Sequence, residues 1–434
     1  MKENFVKLDW QEPINFAKKI AANYQSEDWV FLYSALHEKV KNSFSYIGLF
    51  PKEKIICENF FEAEKLLKSN NKKWLGYLSY EVGSEFEKFP KSQKSVINLP
   101  KIWLINFGLI LEFNHDKKIL RASFSSQKNL DEVLSYKKIK PSKKLNLKVK
   151  NIDSNFSDQS YLKSIADIKK RIAAGDFYQT NLTRKFFGEF NKKQNSSQNF
   201  DLFAQLTKIS PANYCAFLKL DENCIISASP ELFLKAKNNQ ILSRPIKGTV
   251  ARSTDLEQDK KNKFLLKNST KERAENLMIV DLVRNDLSRI CKAGSITVKK
   301  LFCVTSYKNI HHMSSEIGGE ITENFFAFDA IRSCFPAGSM TGAPKIKAIE
   351  IAAKKEKLQR GVYSGAIGIF SKNEINTSVV IRTLVVKDNK FEFQVGGAIT
   401  FDSDPESELQ EIFNKAEGIS KLLQVKFRKI KLSK

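Results

Sequence analysis

The chain has 434 residues, 42% of them hydrophobic, enough to bury one large core or two moderate ones, and nowhere do about 18 apolar residues run uninterrupted as a membrane-spanning helix requires. Its 72 basic against 48 acidic side chains give a net charge of +24. The excess is lysine spread along the chain, without the clustered arginine and interleaved aromatics that read bases, so neither a specific nucleic-acid partner nor a membrane is expected.

Six cysteines without CxxC spacing argue against a zinc site or a disulfide framework, and residues 1–10 hold no signal-peptide core, so a cytoplasmic protein is expected. Residues 1–150 read as a first region of short strands and a few helices. Residues 29–33, Trp-Val-Phe-Leu-Tyr, predict a buried strand; residues 44–50 alternate toward a turn at Pro51. Residues 74–80 predict a third strand, with Gly76 allowing another backbone to come close. The lysine-rich stretch 137–150, with Pro141, is the best boundary, an exposed connector or edge strand before a second region over 151–434. Ser157 then caps a helix with Leu162, Ile165, Ile168 and Ile172 at helical spacing, and Gly175 stops it. Residues 175–183 pass from that stop into a strand.

Residues 225–229 run as a strand into Pro230 and Glu231. Ile241 and Leu242 read as another strand end, after which Pro245 and Gly248 bend the backbone and place Lys247 in a strained turn. A lysine is a poor nucleophile at its ordinary pKa of about 10.4, because only about one molecule in a thousand is neutral near pH 7. Burial or a nearby cation would be needed, and a depression of about three units costs about 4 kcal/mol.

The clearest helix covers residues 269–290, with Ser269 and Glu272 as a capping box, Ala274, Leu277 and Met278 inward, and Gly294 beyond its end. Its Glu272 and Glu275 project from one side. A second helix opens with Asp404 as cap and Pro405 in first position, buries Leu409, Ile412, Phe413 and Ala416, and carries Glu408 and Glu411 at the same spacing. Each pair alone reads as helix surface, Glu411 pairing with Lys415; together they form an oxygen-only donor set that suits a hard cation such as magnesium. Residues 338–345, Gly-Ser-Met-Thr-Gly-Ala-Pro-Lys, look like a phosphate loop, but Pro344 spoils the pattern and nucleotide binding is not expected.

In this order, Ser229-Pro230-Glu231, Pro245-Ile246-Lys247-Gly248-Thr249, the Glu272 helix, residues 338–345, Ile381-Arg382-Thr383 and Glu408-Leu409-Gln410-Glu411 resemble the chorismate-utilising enzymes over nearly the whole chain. The resemblance implies an α+β fold, a four-layer α/β/β/α sandwich of two orthogonally packed, mainly antiparallel sheets. It implies that Glu231 protonates the departing C4 hydroxyl of chorismate while Lys247 adds at C2, and that ammonia then attacks C4 and expels the lysine. The product would be 4-amino-4-deoxychorismate, which leads to p-aminobenzoate and folate.

By the same resemblance Glu275 and Glu411 would bind magnesium directly, with Glu272 and Glu408 acting through water or in support. Arg382, Tyr363 and the amide of Gly397, beside Gly396, would hold the enolpyruvyl carboxylate, while Gly248, Thr249, His312 and Ser339 would line the ring. Residues 31–34 would line a small internal pocket. Relatives that make anthranilate normally lack the lysine at the position of Lys247, and anthranilate formation is the alternative. In those that make isochorismate or salicylate, a lysine that activates water stands at the position of Gln179; glutamine is no general base, so ammonia is the expected nucleophile. The chain has no cysteine-centred nucleophile elbow, so the ammonia is expected to be free or delivered by a separate glutamine amidotransferase subunit.

Overall fold

The computed structural model describes residues 4–25, 27–37, 43–136, 147–307 and 310–425. Two long strands, Phe44–Cys57 and Ile102–Asn114, pair along their whole length and turn the corner between two sheets. The turn expected at Pro51 is a bulge within the first of them: the register shifts between Pro51 and Glu53, Phe50 takes a positive φ of 57°, and the strand continues to Cys57. A proline has no amide to give the ladder, and a bulge absorbs that loss while bending the strand onto a new sheet.

On one side of the corner the ladder runs through Trp29–Tyr33, Tyr214–Leu220, Asn223–Ser229, Thr383–Lys387, Lys390–Ile399 and Gln179–Phe190. On the other it runs through Trp74–Leu78, Ala366–Phe370, Glu374–Val379, Leu232–Lys237, Gln240–Arg244 and Ile310–Glu320. All these pairings are antiparallel. Strands from residues 1–150 and 151–434 lie side by side in both sheets, so the two regions share their cores. Of the lysine-rich stretch proposed as a boundary, residues 137–146 lie outside the described residues; beyond it Val149–Ser154 is an edge strand against Gln179–Phe190.

Strand alternation sorts the side chains into three cores. Val30, Leu218, Ile225 and Val385 of the first sheet meet Leu75, Tyr77, Trp103, Ile105, Ile367 and Ile369 of the second in a layer between them. Their neighbours Phe31, Phe217, Ile226 and Leu384 face outward under helices such as Ser196–Ile209 and Pro405–Leu423. Trp74, Leu78, Leu104, Ala366 and Phe370 face outward under the helix Thr270–Ser288 and its neighbours. Helix, sheet, sheet and helix make the four expected layers. Burying each of these large apolar side chains contributes roughly 1.5–3 kcal/mol against an exposed one.

The local start signals hold. Ser157, Ser269 and Asp404 each cap a helix, accepting the amides of Ser160, Glu272 and Ser407 respectively. Two differences stand out. The strand from Trp74 ends at Leu78 and gives way to a short 3-10 turn, Tyr80–Glu85. A helix not foreseen, Leu256–Asn268, is capped by Asp255 and packs beside the strand Ile246–Ala251.

Candidate active site

The chain passes from the first sheet to the second at Pro230–Glu231, between the strands Asn223–Ser229 and Leu232–Lys237. It passes back at residues 380–382, between Glu374–Val379 and Thr383–Lys387. These two crossings lie against each other: the Val379 amide donates to the Glu231 carbonyl (3.1 Å), the Ala228 amide to the Arg382 carbonyl (3.1 Å), and Ser229 Oγ to the Val379 carbonyl (2.6 Å). Glu231 and Arg382 therefore stand together at the seam between the sheets, where the backbone leaves its ladder and side chains can converge.

Glu231 is 4% exposed. Burial pushes its carboxyl up to about 7, against a hydrogen bond from Ser339 Oγ to Oε1 (2.6 Å), the charge of Lys247 and the amide of Ile246. A carboxyl still half protonated at neutral pH can donate a proton, which is the environment the sequence alone could not show. Burial also lowers Arg382, whose φ of 52° turns it out of the sheet, and it raises the phenol of Tyr363. Both feel the charge of Glu231.

His312 lies at 3% exposure with Nδ1 3.3 Å from Thr249 Oγ1. Burial, then the nearby Arg382, pushes it down to about 3, so its ring is neutral at working pH and serves as a hydrogen-bonding group. Its Nε2 has no partner among the described residues, and neither has either polar atom of the Gln179 side chain, which is fully buried. Buried polar atoms rarely stay unpaired in a finished site. A polar ligand would complete them.

Lys247 does not sit in a turn. It belongs to the strand Ile246–Ala251, which is irregular between Ile246 and Thr249 where it pairs with Ile310–Glu320. The unusual backbone is at Gly248, with φ of 88°. The lysine is half-buried, and the groups that feel its charge are Glu231, Glu272, Glu275 and Glu411. Of the two conditions the sequence argument offered, burial or a nearby cation, the lysine is only half-buried and these charged neighbours are carboxylates. A Cβ at position 248 would lie 2.9 Å from Glu272 Oε2 and 3.0 Å from Leu266 Cδ1. Gly248→Ala is therefore expected to cost about 1–2 kcal/mol in urea unfolding and to displace Glu272, lowering activity beyond the loss of stability.

The glutamate-bearing faces of the two helices come close enough for Glu272 and Glu411 to feel each other's charge. Glu275 and Glu408 are buried, Glu272 and Glu411 half-buried. Burial raises Glu272 and Glu408, each raised further by Glu411, and it raises Glu275 against Lys247. Burial acts on Glu411 in the same direction, but Lys415, bonded to it at 2.6 Å, carries it below the usual range. This is the helix-surface pairing that the sequence allowed. Lys271 lies 3.4 Å from Glu408, and Lys415 also donates to the Gly396 carbonyl (2.8 Å). Gly397 lies against Glu408, whose Oε2 would be 3.2 Å from a Cβ there.

Among the described residues no three acidic, histidine or cysteine side chains converge tightly enough to form a ready metal cage, because lysines are interleaved with the carboxylates. The donors still fit a hard cation in kind. All four are carboxylates, and Glu408 Oε2 is buried with no hydrogen-bond partner among the described residues while Oε1 accepts from Ser403 Oγ (2.7 Å). A cavity of about 530 Å³ is lined by Leu32, Tyr33, Ser34, Tyr214 and others but not by the fully buried Phe31, so it is broader than the small internal pocket that the resemblance implied around residues 31–34. No described helix is long and apolar enough to cross a membrane.

Two features escaped the sequence reading. Asp286 pairs with Lys345 (2.7 Å), fastening residues 338–345 to the Thr270–Ser288 helix. Arg360 pairs with Glu356 at full burial. Arg360 lies past the end of the helix Lys345–Glu356, so no helical spacing signals the second.

The comparisons with known proteins point to one family of enzymes. The model of the chorismate binding enzymes matches residues 14–421, and the chain belongs to that family. Among its relatives is aminodeoxychorismate synthase component 1 of Escherichia coli (strain K12), 35% identical over 352 residues, 81% of this chain and 76% of that one. Another is anthranilate synthase component 1 of Lactococcus lactis subsp. lactis (strain IL1403), 32% identical over 386 residues, 86% of this chain and 84% of that one. The solved structure of anthranilate synthase component I from Streptococcus pneumoniae TIGR4 superposes with a TM-score of 0.77 at 26% identity, covering 88% of this chain and 93% of that one. The protein is thus a chorismate-utilising enzyme with the α+β sandwich expected from its sequence.

Proposed function

We propose that the protein converts chorismate and ammonia to 4-amino-4-deoxychorismate, supplying p-aminobenzoate and folate synthesis. The observation that carries this reading is Lys247 facing a buried Glu231 whose carboxyl stands at about 7. Lys247 Nζ, once its ammonium proton has passed to water, forms a bond to C2 as the ring double bond shifts and the C4–O bond breaks, and the departing hydroxyl takes the Glu231 proton and leaves as water. Ammonia then bonds to C4, the double bond shifts back, and the C2–N bond to Lys247 breaks. Two allylic displacements leave nitrogen on the carbon that lost oxygen.

Arg382 would grip the enolpyruvyl carboxylate through parallel N–H bonds, with the Tyr363 hydroxyl and the Gly397 amide beside it. Magnesium would be held by Glu275 and Glu411, with Glu272 and Glu408 in support, and when bound would neutralise the ring carboxylate of the substrate. Lys271 and Lys415 would then give up their hold on these carboxylates. Gln179 offers a neutral amide where a water-activating base would be needed, which supports ammonia as nucleophile. The component 1 relative supports a partner, a glutamine amidotransferase subunit that delivers the ammonia.

Anthranilate formation is the second reading, because an anthranilate synthase component is nearly as similar. The test is the product that purified protein forms from chorismate, an ammonium salt and magnesium, identified by mass and fluorescence. 4-Amino-4-deoxychorismate is expected, with activity lost in EDTA and restored by excess magnesium. Anthranilate as the main product would overturn the assignment, and full activity in EDTA would remove the metal from it.

A further inference from the structure

Arg360 lies between the helix Lys345–Glu356 and the strand Ala366–Phe370 and is 3% exposed. Nε and Nη2 bind the two oxygens of Glu356 (2.9 and 2.8 Å). Nη2 also donates to the Asn181 carbonyl (2.9 Å), and Nη1 donates to the Met340 carbonyl (2.8 Å) and to Ser364 Oγ (3.4 Å). The guanidinium has every donor engaged. Glu356, 2% exposed, also accepts the Thr183 amide (2.9 Å). From the amino-terminal region the Tyr80 ring lies 4.6 Å from the guanidinium, and Glu81 accepts the backbone amides of Arg360 (2.8 Å) and Gly361 (3.0 Å).

Stability does not account for such a pair, since replacing a buried ion pair by apolar groups of equal volume is often neutral or better. Position does. Three chain segments meet on this one side chain: Ser339-Met340, whose serine donates to Glu231; the strand from Gln179 through Asn181; and the segment carrying Tyr363 and Ser364. Asn181 Nδ2 adds a second bond to the Met340 carbonyl (3.2 Å).

We propose that Arg360 is a positioning residue for the reaction, gripping the Met340 and Asn181 carbonyls so that Ser339 stays on Glu231 and Tyr363 stays at the seam. The proposal rests on the reading of Glu231 as proton donor. The Ser339 hydroxyl stabilises the ionised carboxylate, so loosening Ser339 leaves Glu231 protonated to higher pH, and the high-pH limb of kcat/KM moves up.

The experiment is the pH dependence of kcat/KM for the wild type, Ser339→Ala, Arg360→Lys and the double variant. Arg360→Lys keeps a positive charge opposite Glu356 but lacks the fork that reaches both carbonyls. It is expected to raise the limb by about half a unit to one unit, the worth of one hydrogen bond. Ser339→Ala is expected to raise it similarly, the double variant no further, and kcat is expected to fall more than KM rises. A limb moved by Ser339→Ala but unmoved by Arg360→Lys overturns the proposal for Arg360 alone, and additive shifts in the double variant do the same. A limb unmoved by Ser339→Ala overturns the Glu231 reading itself. Should Arg360→Lys fail to fold, Glu356→Gln, which loosens the guanidinium at constant volume, takes its place in the cycle.

Discussion

Lys247→Ala is expected to lower formation of 4-amino-4-deoxychorismate by about a thousandfold or more while leaving the thermal transition near its wild-type value. The chemical loss follows from the lysine's part as covalent nucleophile, for which no neighbouring side chain can substitute: the groups around it are carboxylates. The structural loss is small, because Lys247 is half-buried on an irregular strand and belongs to none of the three cores. Chorismate binding should persist, since Arg382, Tyr363 and Gly397 are untouched, and a KM within a few-fold of wild type would separate a lost nucleophile from a disturbed site. An unchanged rate would remove the lysine from the mechanism. Anthranilate appearing from the variant would mean that ammonia reaches C2 once the amine is gone, which places the choice between the two products in this one side chain.

Local chemistry was legible in the sequence wherever a short-range rule decides the structure. Ser157, Ser269 and Asp404 cap their helices because a side-chain oxygen two or three residues ahead of free amides needs no tertiary help. The strand at Trp29–Tyr33 was legible as apolar, but which of its faces meets the other sheet was not, since both faces are apolar and only the partner strands decide. Pro51 read as a turn because a proline usually ends a ladder; the long pairing with Ile102–Asn114 overrides that. The helix Leu256–Asn268 hid behind lysines, with only Asp259 and Leu266 buried along it, so its pattern has no apolar stripe.

At the site, residue types and their order carried the family, and the structure brings Glu231, Ser339, Lys247, Arg382 and Tyr363 to one seam. What the order could not carry is environment. Nothing near Glu231 in sequence foretells its burial, which comes from two sheet crossings that lie some 150 residues apart and meet through the bonds of Val379 and Ser229. The surroundings of Lys247, for which burial or a nearby cation was the condition, were hidden for the same reason: the carboxylates it feels come from two distant helices. Arg360 was invisible because its partners, Asn181, Met340 and Glu356, come from three separate elements.

Glu231→Gln is expected to lower turnover by a hundredfold or more, roughly the range that general acid catalysis supplies, and at the same time to stabilise the protein above neutral pH. Folding lifts this carboxyl from its ordinary 4.5 to about 7, chiefly by burial. Below about pH 4.5 the group is protonated in both states and costs nothing. As pH rises from there, the unfolded chain ionises freely while the folded one resists, so stability is lost progressively until the pH passes about 7 and the folded carboxyl ionises too. The accumulated loss is about 3 kcal/mol at pH 8. Glutamine carries no charge at any of these pH values, and its amide can still accept the Ser339 hydroxyl. The variant should therefore match the wild type in urea unfolding at pH 4.5 and exceed it increasingly toward pH 8. Wild-type kcat/KM should fall around pH 7, where the stability loss levels off, as the folded carboxyl loses the proton needed for the leaving hydroxyl. A variant that is inactive but no more stable at pH 8 than at pH 4.5, relative to wild type, would show that Glu231 is ionised in the folded enzyme and donates no proton. Agreement between the pH at which the stability loss levels off and the midpoint of the kcat/KM fall would tie the cost of burying this acid to the chemistry it performs.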